Sequence, residues 1–562
     1  MAVDNSFIAD QFSLLAKLMD IHGENPFKIK SYASAAFGID KLTEDLTSIP
    51  REKINAIRGI GPSIGKQIVE ILDSGELTQL REIIHKTPPG VIEMLKIKGL
   101  GPKKISTVWK EMEIESIGEL MYACNENRLL LYKGFGEKTQ HNIRDTISFY
   151  LKSLGSFLFA EVEGYVHQIQ KSLRESFPQQ LIAITGAFRR QLEIIVQPEW
   201  ICNIPLTDLE SHFTKQQFTV EASTGNQLIV SSPEKISLKF HIESRESFYT
   251  SLFETSASEA FLEVWKKRFA PIKDPASEET IFEQAGVSFI PATLRENPAI
   301  LDKASSPLPP LIQTADIKGI IHSHSNWSDG LQTIEQMARA CIEQGFEYLV
   351  ISDHSKSAFY ANGLSEDRIR EQHLHIDELN RQLAPFHIFK SIECDILYDG
   401  NLDYSDQILE SFDLVIASVH SNLKMNAEKA MSRLLRAIEN QHTRILGHPT
   451  GRLLLSRPGY PVDHQTLIDA CAAHQVVIEL NAHPRRLDLD WRWIDYALEK
   501  NVMLSIDPDA HSIAGFHDIH YGVLAAQKGG LQAEQNLSSF SLEEMKGFVN
   551  RGQPLSAKGN ST

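Results

Sequence analysis

Fifteen of the 21 histidines in this chain fall between residues 311 and 562. Six apolar runs in that region have strand composition, and each ends in side chains able to bind metal. Residues 319–321 precede His322 and His324; 348–351 precede His354; 389–392 precede Glu393. Residues 414–417 precede His420, 444–447 precede His448, and 502–506 precede Asp509 and His511. His322 and His324 are two apart, so on a strand both face the same side. Imidazoles mixed with carboxylates suit Zn2+, Mn2+ or Fe2+ better than Mg2+ or Ca2+. Asp329 adds a candidate oxygen ligand, although its Ser-Asp-Gly setting is also an ordinary turn. A cap or a core contact accounts for any one of these residues; six strand ends together point to a shared metal site.

Distant residues of this kind meet only if the strands are parallel and their C-terminal ends share one face. Apolar runs alternate with amphipathic helices through 317–550, which predicts an α/β barrel. Before it, 303–316 contains Ala304-Ser-Ser-Pro-Leu-Pro-Pro310 and reads as a linker. Residues 151–302 mix helix and strand, with strands expected at 181–185, 192–196 and 236–242. Residues 1–150 read as helical, with Ile54, Ile57, Ile64, Ile68 and Ile71 at helical spacing. Residues 551–562 form a polar tail.

The helical region repeats one turn three times: Arg58-Gly59-Ile60-Gly61, Lys98-Gly99-Leu100-Gly101 and Lys133-Gly134-Phe135-Gly136. Glycine permits φ > 0 and close approach of a ligand to the backbone. The helix that follows offers free N–H groups and the positive end of its dipole. A DNA phosphate fits there whatever the base, which makes Gly59, Gly61, Gly99, Gly101, Gly134 and Gly136 candidate DNA contacts. Pro62 and Pro102 suit the first helical turn. Three ligand-free helix turns are the plainer alternative.

Composition bounds the rest. The chain has 562 residues, 42% apolar and 23% charged, enough for three or four folded domains. Its net charge is −17; residues 1–150 hold 19 basic and 20 acidic residues, a net of −1, so the remaining 412 carry −16. That argues against coating nucleic acid through bulk positive charge and leaves local contacts open. Five scattered cysteines (124, 202, 341, 394, 471) read as reduced thiols of a cytoplasmic protein. No apolar run approaches the about 20 residues of a membrane span, and the N-terminus lacks signal-peptide character.

The hairpin turns, with Asn25-Pro26-Phe27-Lys28, resemble the N-terminal region of bacterial family X DNA polymerases. In some relatives a lysine after the first hairpin forms a Schiff base with a sugar-phosphate. Gln67 stands at the matching position, with Lys66 beside it pointing about 100° away, which argues against lyase activity. Thr185-Gly186-Ala187-Phe188-Arg189-Arg190 resembles the family's Gly-Ser-x-Arg-Arg segment, and 286–296 resembles the end of its polymerase core. The resemblance places Gln191-Leu192-Glu193 where Asp-x-Asp is expected, Ser237 where a third Asp is expected, and Phe253-Glu-Thr-Ser256 for Phe-Thr-Gly-Ser. One carboxylate cannot hold two divalent ions. Polymerisation is therefore expected to be lost and 151–302 to persist as a DNA-positioning scaffold, with Glu199 and Glu243 as alternative carboxylates.

The last third resembles the PHP (polymerase and histidinol phosphatase) metallophosphoesterases. The segments that carry the resemblance are 322–330, 351–354, 418–421, 447–450 and 509–511. It implies nine ligands: His322, His324, Asp329, His354, Glu393, His420, His448, Asp509 and His511. It implies three divalent ions, Mn2+, Zn2+ or Fe2+, with Glu393 bridging two, and His322, His324 and Glu393 at the centre of catalysis. Adjacent cations would acidify a water for in-line attack on phosphorus. Arg452 and Arg457, and more weakly Lys356, are candidates for steering the phosphate or are plain surface residues, and Asp353 is a candidate for orienting an imidazole or capping a turn.

The implied architecture is an all-α helix-hairpin-helix region, an α+β nucleotidyltransferase-like middle and a distorted TIM-like α/β barrel. The expected function is a DNA-repair 3′–5′ exonuclease or 3′-end-trimming phosphoesterase acting on gapped, nicked or 3′-recessed DNA. A gap-filling polymerase with a proofreading domain, a histidinol-phosphate-type phosphatase and a non-catalytic DNA scaffold are the alternatives.

Overall fold

The computed structural model describes residues 4–550 except 41, 43, 58, 59, 153, 154 and 234. The chain forms two compact units, one of residues up to Asn125 with Tyr132–Tyr150, the other of Glu126–Leu131 with the chain from Leu151 onward.

The first unit is helical. Helix Asn5–His22 turns Ile8, Phe12, Leu15 and Met19 into its core, the spacing of one helical face. Asp4 caps it by accepting from Phe7 N (2.8 Å), and Gly23 ends it at φ 77°. Helix Pro62–Ser74 starts with proline behind Gly61 and buries Ile64, Ile68 and Ile71. Ile54 and Ile57 are not on that helix; they belong to a separate 3-10 turn, Arg51–Ala56, and the residue after it. The first hairpin divides what the apolar spacing had joined.

The second unit opens with β1 (Phe157–Leu158), β2 (Ile182–Thr185), β3 (Ile194–Ile195), β4 (Glu199–Cys202), β5 (Thr219–Thr224), β6 (Gln227–Ser231) and β7 (Ser237–Ile242). β1 and β3 form an antiparallel pair, and the others form a sheet in the order β2-β4-β7-β6-β5. Within that sheet only β4 and β7 are parallel. Trp200 and Phe240 stack at its centre, 5.2 Å between centroids. The strand expected at 192–196 shrinks to β3. Strand β5 escaped notice because every one of its residues is exposed, leaving no alternation to read.

Seven parallel strands follow: β8 (Gly319–Ser323), β9 (Tyr348–Ile351), β10 (His387–Asp395), β11 (Leu414–Ser418), β12 (Ile445–Leu446), β13 (Val477–Asn481) and β14 (Leu504–Asp507). They pair in chain order. The first and last meet at a parallel bridge between Ser323 and Ala510, where His324 N donates to Ala510 O (2.9 Å). The sheet thereby wraps into a nearly closed barrel. Alternate residues feed two cores. Ile321, Val350, Phe389, Ile416, Ile445 and Val477 pack with Leu537 and Met545, while Ile320, Leu349, Val415, Leu446 and Ile478 pack in the other cluster. Strand β13 was not among the six expected.

The stretch read as a linker is laid onto the barrel. Ile312 is buried, its N donates to Leu531 O (2.9 Å) and its carbonyl accepts from Gln527 Nε2 (2.8 Å). The five cysteines are buried and unbridged, and no helix among the described residues is long and apolar enough to cross a membrane.

Candidate metal centre

The parallel strands and the loops that follow them bring all nine expected side chains into one largely buried cluster. Glu393, on β10, is the hub. Its Oε1 lies 3.2 Å from His322 Nε2, 3.0 Å from His420 Nε2 and 2.9 Å from His448 Nε2; its Oε2 lies 3.0 Å from His354 Nδ1. Asp509 Oδ1 is 3.1 Å from His324 Nε2 and 3.5 Å from His322 Nε2. Asp329 stands 3.5 Å from both His354 Nε2 and His511 Nε2. Among the described residues three groups bring their ligand atoms within 4.8 Å of one another: His324, Asp329, His354 and His511; His322, His324 and Asp509; His354, Glu393 and His420. His322, His448 and Asp509 reach the cavity from left-handed backbone, at φ 57°, 21° and 52°. Non-glycine residues hold such values only where the surroundings impose them, a pattern concentrated at functional sites.

The donor set fits divalent cations. His322 Nε2, His324 Nδ1, Asp329 Oδ2, Glu393 Oε2 and His511 Nε2 are buried and make no hydrogen bond. Buried polar atoms left so are costly unless something else satisfies them. Imidazole nitrogens and carboxylate oxygens crowded to about 3 Å are what a cation would bridge.

A ring of carboxylates holds the imidazoles. Glu479 Oε2 lies 2.5 Å from His322 Nδ1, and Asp395 Oδ1 lies 3.1 Å from His420 Nδ1. Each leaves Nε2 to point at Glu393. Sequence reasoning missed both. Glu479 sits on the unexpected strand β13, and Asp395 is two residues past Glu393 on the same face of β10, a spacing that was readable. Of the two tasks expected of Asp353, the turn is the one its contacts serve. It accepts from Ser325 N (2.8 Å), Ser325 Oγ (2.7 Å), Ser328 Oγ (2.5 Å) and Gln372 Nε2 (2.6 Å), so it shapes the loop carrying His324 and Asp329 rather than orienting an imidazole.

Charge is balanced inside the cavity. Burial alone would raise Glu393, but His420, His322 and His354 outweigh it and hold the carboxyl well below its usual range. Burial likewise opposes the charge on His420 and His511, yet Glu393 with Asp395, and Asp329, lift each to about 9. Burial and the neighbouring His511 and His354 push His324 down to about 3, leaving a neutral imidazole able to ligate.

The proposed phosphate-steering arginines are otherwise engaged. Arg452 donates to the carbonyls of Arg486 (2.9 Å) and Leu487 and pairs with Asp490. Arg457 donates to Gly451 O (2.9 Å). Both brace the loop after His448. Arg486 is the cation that reaches the site, 3.8 Å from Asp509 Oδ2.

In the helical unit, Gly99 and Gly134 adopt φ 91° and 96°, so those turns require glycine. Gly61 and Gly101 cap the helices Pro62–Ser74 and Pro102–Lys110 at φ −81° and −79°, backbone that any residue adopts. A Cβ at Gly61, Gly101 or Gly136 would meet nothing within 4 Å. Neither conformation nor packing demands glycine there. Gly59 lies outside the described residues. Gln67 donates to Tyr32 Oη (3.0 Å) and Gln79 Oε1 (3.0 Å), and Lys66 is exposed.

The middle region departs from expectation in detail. Gln191, Glu193 and Ser237 do not share partners. Glu193 pairs with Arg492 (2.9 Å) and accepts from Trp491 Nε1 (3.1 Å), both on the barrel. Ser237 meets Gln197 Nε2 (2.8 Å) and Glu221 Oε2 (3.0 Å). Gln197 thus stands beside Ser237, while Glu199 on β4 pairs in register with Lys239. Glu199 is held by His241 Nε2 (2.8 Å) and Lys239 Nζ (3.2 Å). Glu243 accepts from Ser247 Oγ (2.8 Å). Arg189 and Arg190 are bound by Glu278 (2.6 Å) and Glu296 (2.5 Å).

These features define a class: a helix-hairpin-helix protein with a parallel β barrel whose strand ends build a buried His/Asp/Glu cluster able to hold metal. Comparison with known proteins agrees. The helix-hairpin-helix domain family matches residues 3–77, the SAM-like helix-hairpin-helix tandem family 91–148 and the PHP domain family 321–483. The DNA polymerase/3′-5′ exonuclease PolX of Bacillus subtilis (strain 168) is 32% identical over 566 residues, covering 96% of this chain and 98% of that protein. The probable phosphatase YcdX of Escherichia coli O81 is 27% identical over 168 residues, 28% of this chain and 59% of its own length. A probable phosphatase of Caldanaerobacter subterraneus is 26% identical over 171 residues, 28% of this chain and 60% of its own. The chain belongs to the PolX family, bacterial family X proteins with a C-terminal PHP domain, and that domain is a metal-dependent phosphoesterase.

Proposed function

We propose that this protein is a DNA 3′-end-processing phosphoesterase, a 3′–5′ exonuclease in character, and that its middle region positions DNA without polymerising it. The gathering of nine ligand-type side chains into one cluster, with four imidazoles on Glu393, carries this reading. The proposed occupants are three divalent ions, Mn2+ or Zn2+ foremost, held by His322, His324, Asp329, His354, Glu393, His420, His448, Asp509 and His511. When bound, such ions supply Lewis acidity that activates water and neutralises charge on a phosphodiester. The chain's own residues hold the geometry. Glu479 and Asp395 keep His322 and His420 turned inward, and Asp353 fixes the loop bearing Asp329. The hairpin glycines let the sugar-phosphate backbone of gapped, nicked or 3′-recessed DNA approach the helix N-termini. The work is cytoplasmic, in keeping with five unbridged cysteines.

Loss of polymerisation is supported by Gln197 and Ser237, which lack carboxylates, and by Glu199, which Lys239 pairs with and His241 hydrogen-bonds. A two-metal transfer site needs several carboxylate oxygens per ion pair.

The test is labelled DNA, single-stranded and gapped, with and without Mn2+, beside histidinol phosphate. Manganese-dependent shortening that His322→Ala and Glu393→Ala both abolish is expected. Turnover of histidinol phosphate alone would replace this reading with a small-molecule phosphatase. Primer extension on gapped DNA is expected to give no added nucleotides, and robust extension overturns that part.

A further inference from the structure

The loop that follows β13, residues 483–492, touches both the middle region and the metal cluster. The middle region grips it at two points. Near its start, buried Arg485 donates from Nη2 to Glu161 Oε1 (3.0 Å). Glu161 lies in the first turn of helix Phe159–Ser176, where its other oxygen accepts from Leu158 N (3.0 Å). At the far end, Glu193 accepts from Trp491 Nε1 (3.1 Å) and pairs with Arg492 (2.9 Å). Between these grips the loop meets the metal cluster and its supports. Arg486 reaches Asp509 Oδ2 at 3.8 Å. Arg485 O accepts from Leu454 N (2.6 Å), and the carbonyls of Arg486 and Leu487 accept from Arg452, which ties in the chain after His448. Buried Asp488 accepts at Oδ2 from both N and Oγ1 of Thr450 (3.0 Å each), two residues past His448. The Asp488 carbonyl accepts from Asn481 N (2.6 Å), and Asn481 Nδ2 donates to Glu479 Oε1 (2.9 Å) and Asp509 Oδ2 (3.1 Å).

A loop is held where its polar groups find partners. On one side the partners of this loop are two carboxylates of the middle region; on the other they are the turn after His448 and the carboxylate of Asp509. His448 and Asp509 stand on left-handed backbone, φ 21° and 52°, which persists only while the surroundings impose it. Taking away Glu161 leaves the Arg485 guanidinium buried without its counter-charge, a state relieved by moving the loop. We infer that Glu161 and Glu193 are positioning residues of the metal centre, acting through residues 483–492 on His448 and Asp509. The middle region then steadies the phosphoesterase site as well as positioning DNA, and Glu193 serves hydrolysis from a place where a polymerase carboxylate was expected. The inference rests on the phosphoesterase reading and extends its machinery into a second part of the fold.

Two measurements that need no DNA test it on the full chain. Equilibrium dialysis against Mn2+ with metal analysis reads affinity, and bis(p-nitrophenyl) phosphate, a small phosphodiester, reads hydrolysis. Glu161→Ala and Glu193→Ala are each expected to bind Mn2+ about tenfold more weakly and to need correspondingly more Mn2+ for half-maximal hydrolysis. Glu161→Gln keeps an acceptor for Arg485 and is expected to fall between parent and alanine variant. Glu161→Arg combined with Arg485→Glu re-forms the pair with its charges exchanged and is expected to regain part of the lost affinity, which general loosening of the fold would not do. Circular dichroism checks folding; if an alanine variant does not fold, Glu161→Gln and the exchanged pair carry the test. Parental Mn2+ affinity in the folded variants overturns the inference. So does weaker shortening of DNA with Mn2+ affinity and small-ester hydrolysis both parental, which would make the two carboxylates groups that present DNA. A parent that hydrolyses the small ester but leaves DNA ends intact sinks the exonuclease reading alone, because the dialysis result stands without it.

Discussion

Glu393 meets four imidazoles within 3.2 Å, and two carboxylates behind that shell decide which nitrogen each partner presents. An imidazole whose Nδ1 is hydrogen-bonded to a carboxylate offers Nε2 inward, fixed in tautomer and angle. Glu479→Gln and Asp395→Asn remove no proposed ligand, yet each is expected to lower metal affinity by about 10–100-fold. Equilibrium dialysis with metal analysis measures this, and parental affinity in both variants would show that orientation is set elsewhere. The nine ligand types were readable because donor chemistry belongs to residue type. Glu479 was not, since its role depends on His322, 157 positions away.

At the scale of elements, the hairpins separate glycine's conformational role from its ligand role. Gly99→Ala and Gly134→Ala put a Cβ on left-handed backbone and are expected to cost about 1 kcal/mol of stability each. Gly61→Ala and Gly101→Ala meet open space at ordinary φ, so the melting temperature should hold while DNA affinity falls. Thermal unfolding and DNA binding at one fixed salt concentration distinguish the pairs. An affinity unchanged by Gly61→Ala and Gly101→Ala would reduce these turns to simple helix connections. The barrel shows the same division of legibility. Six strands announced themselves by apolar runs ending in ligands. Strand β13 carries no proposed ligand, and it was found only through its pairing with β12 and β14.

Across the whole second unit, the middle sheet and the barrel are joined by polar contacts: Arg485 with Glu161 (3.0 Å), His520 with Glu163 (2.8 Å), Arg492 with Glu193 and Lys528 Nζ with Arg190 O (2.9 Å). Lys528 lies 4.2 Å from the Trp491 ring centre. Burial pushes its ammonium down to about 8, against the pull of Glu296 and Glu193. The folded state therefore releases this proton before the unfolded chain does. The burial penalty is present in full below pH 8, and the group's contribution to stability rises with pH from about 8 toward 10.5. Lys528→Met abolishes that rise, and the difference from the parent across the window is at most about 3 kcal/mol. Denaturant unfolding at pH 7 and pH 10 measures it; parallel pH profiles for parent and variant would show that Lys528 titrates normally. The same junction explains Glu193, the carboxylate that sequence comparison assigned to a polymerase site and that instead docks the barrel.

Residue type and local spacing alone were enough to read a cluster of metal-capable donors, the parallel α/β arrangement and the repeated hairpins. Each is carried by donor atoms, by apolar runs a few residues long, or by glycines next to a helix start. Tertiary structure decided which side chains share a partner. It sent Arg452 to brace a loop, Glu193 to the barrel and Gln197 to Ser237. Those outcomes turn on contacts between segments tens to hundreds of residues apart, where hydrogen-bond geometry and burial choose among many polar groups of equal local promise.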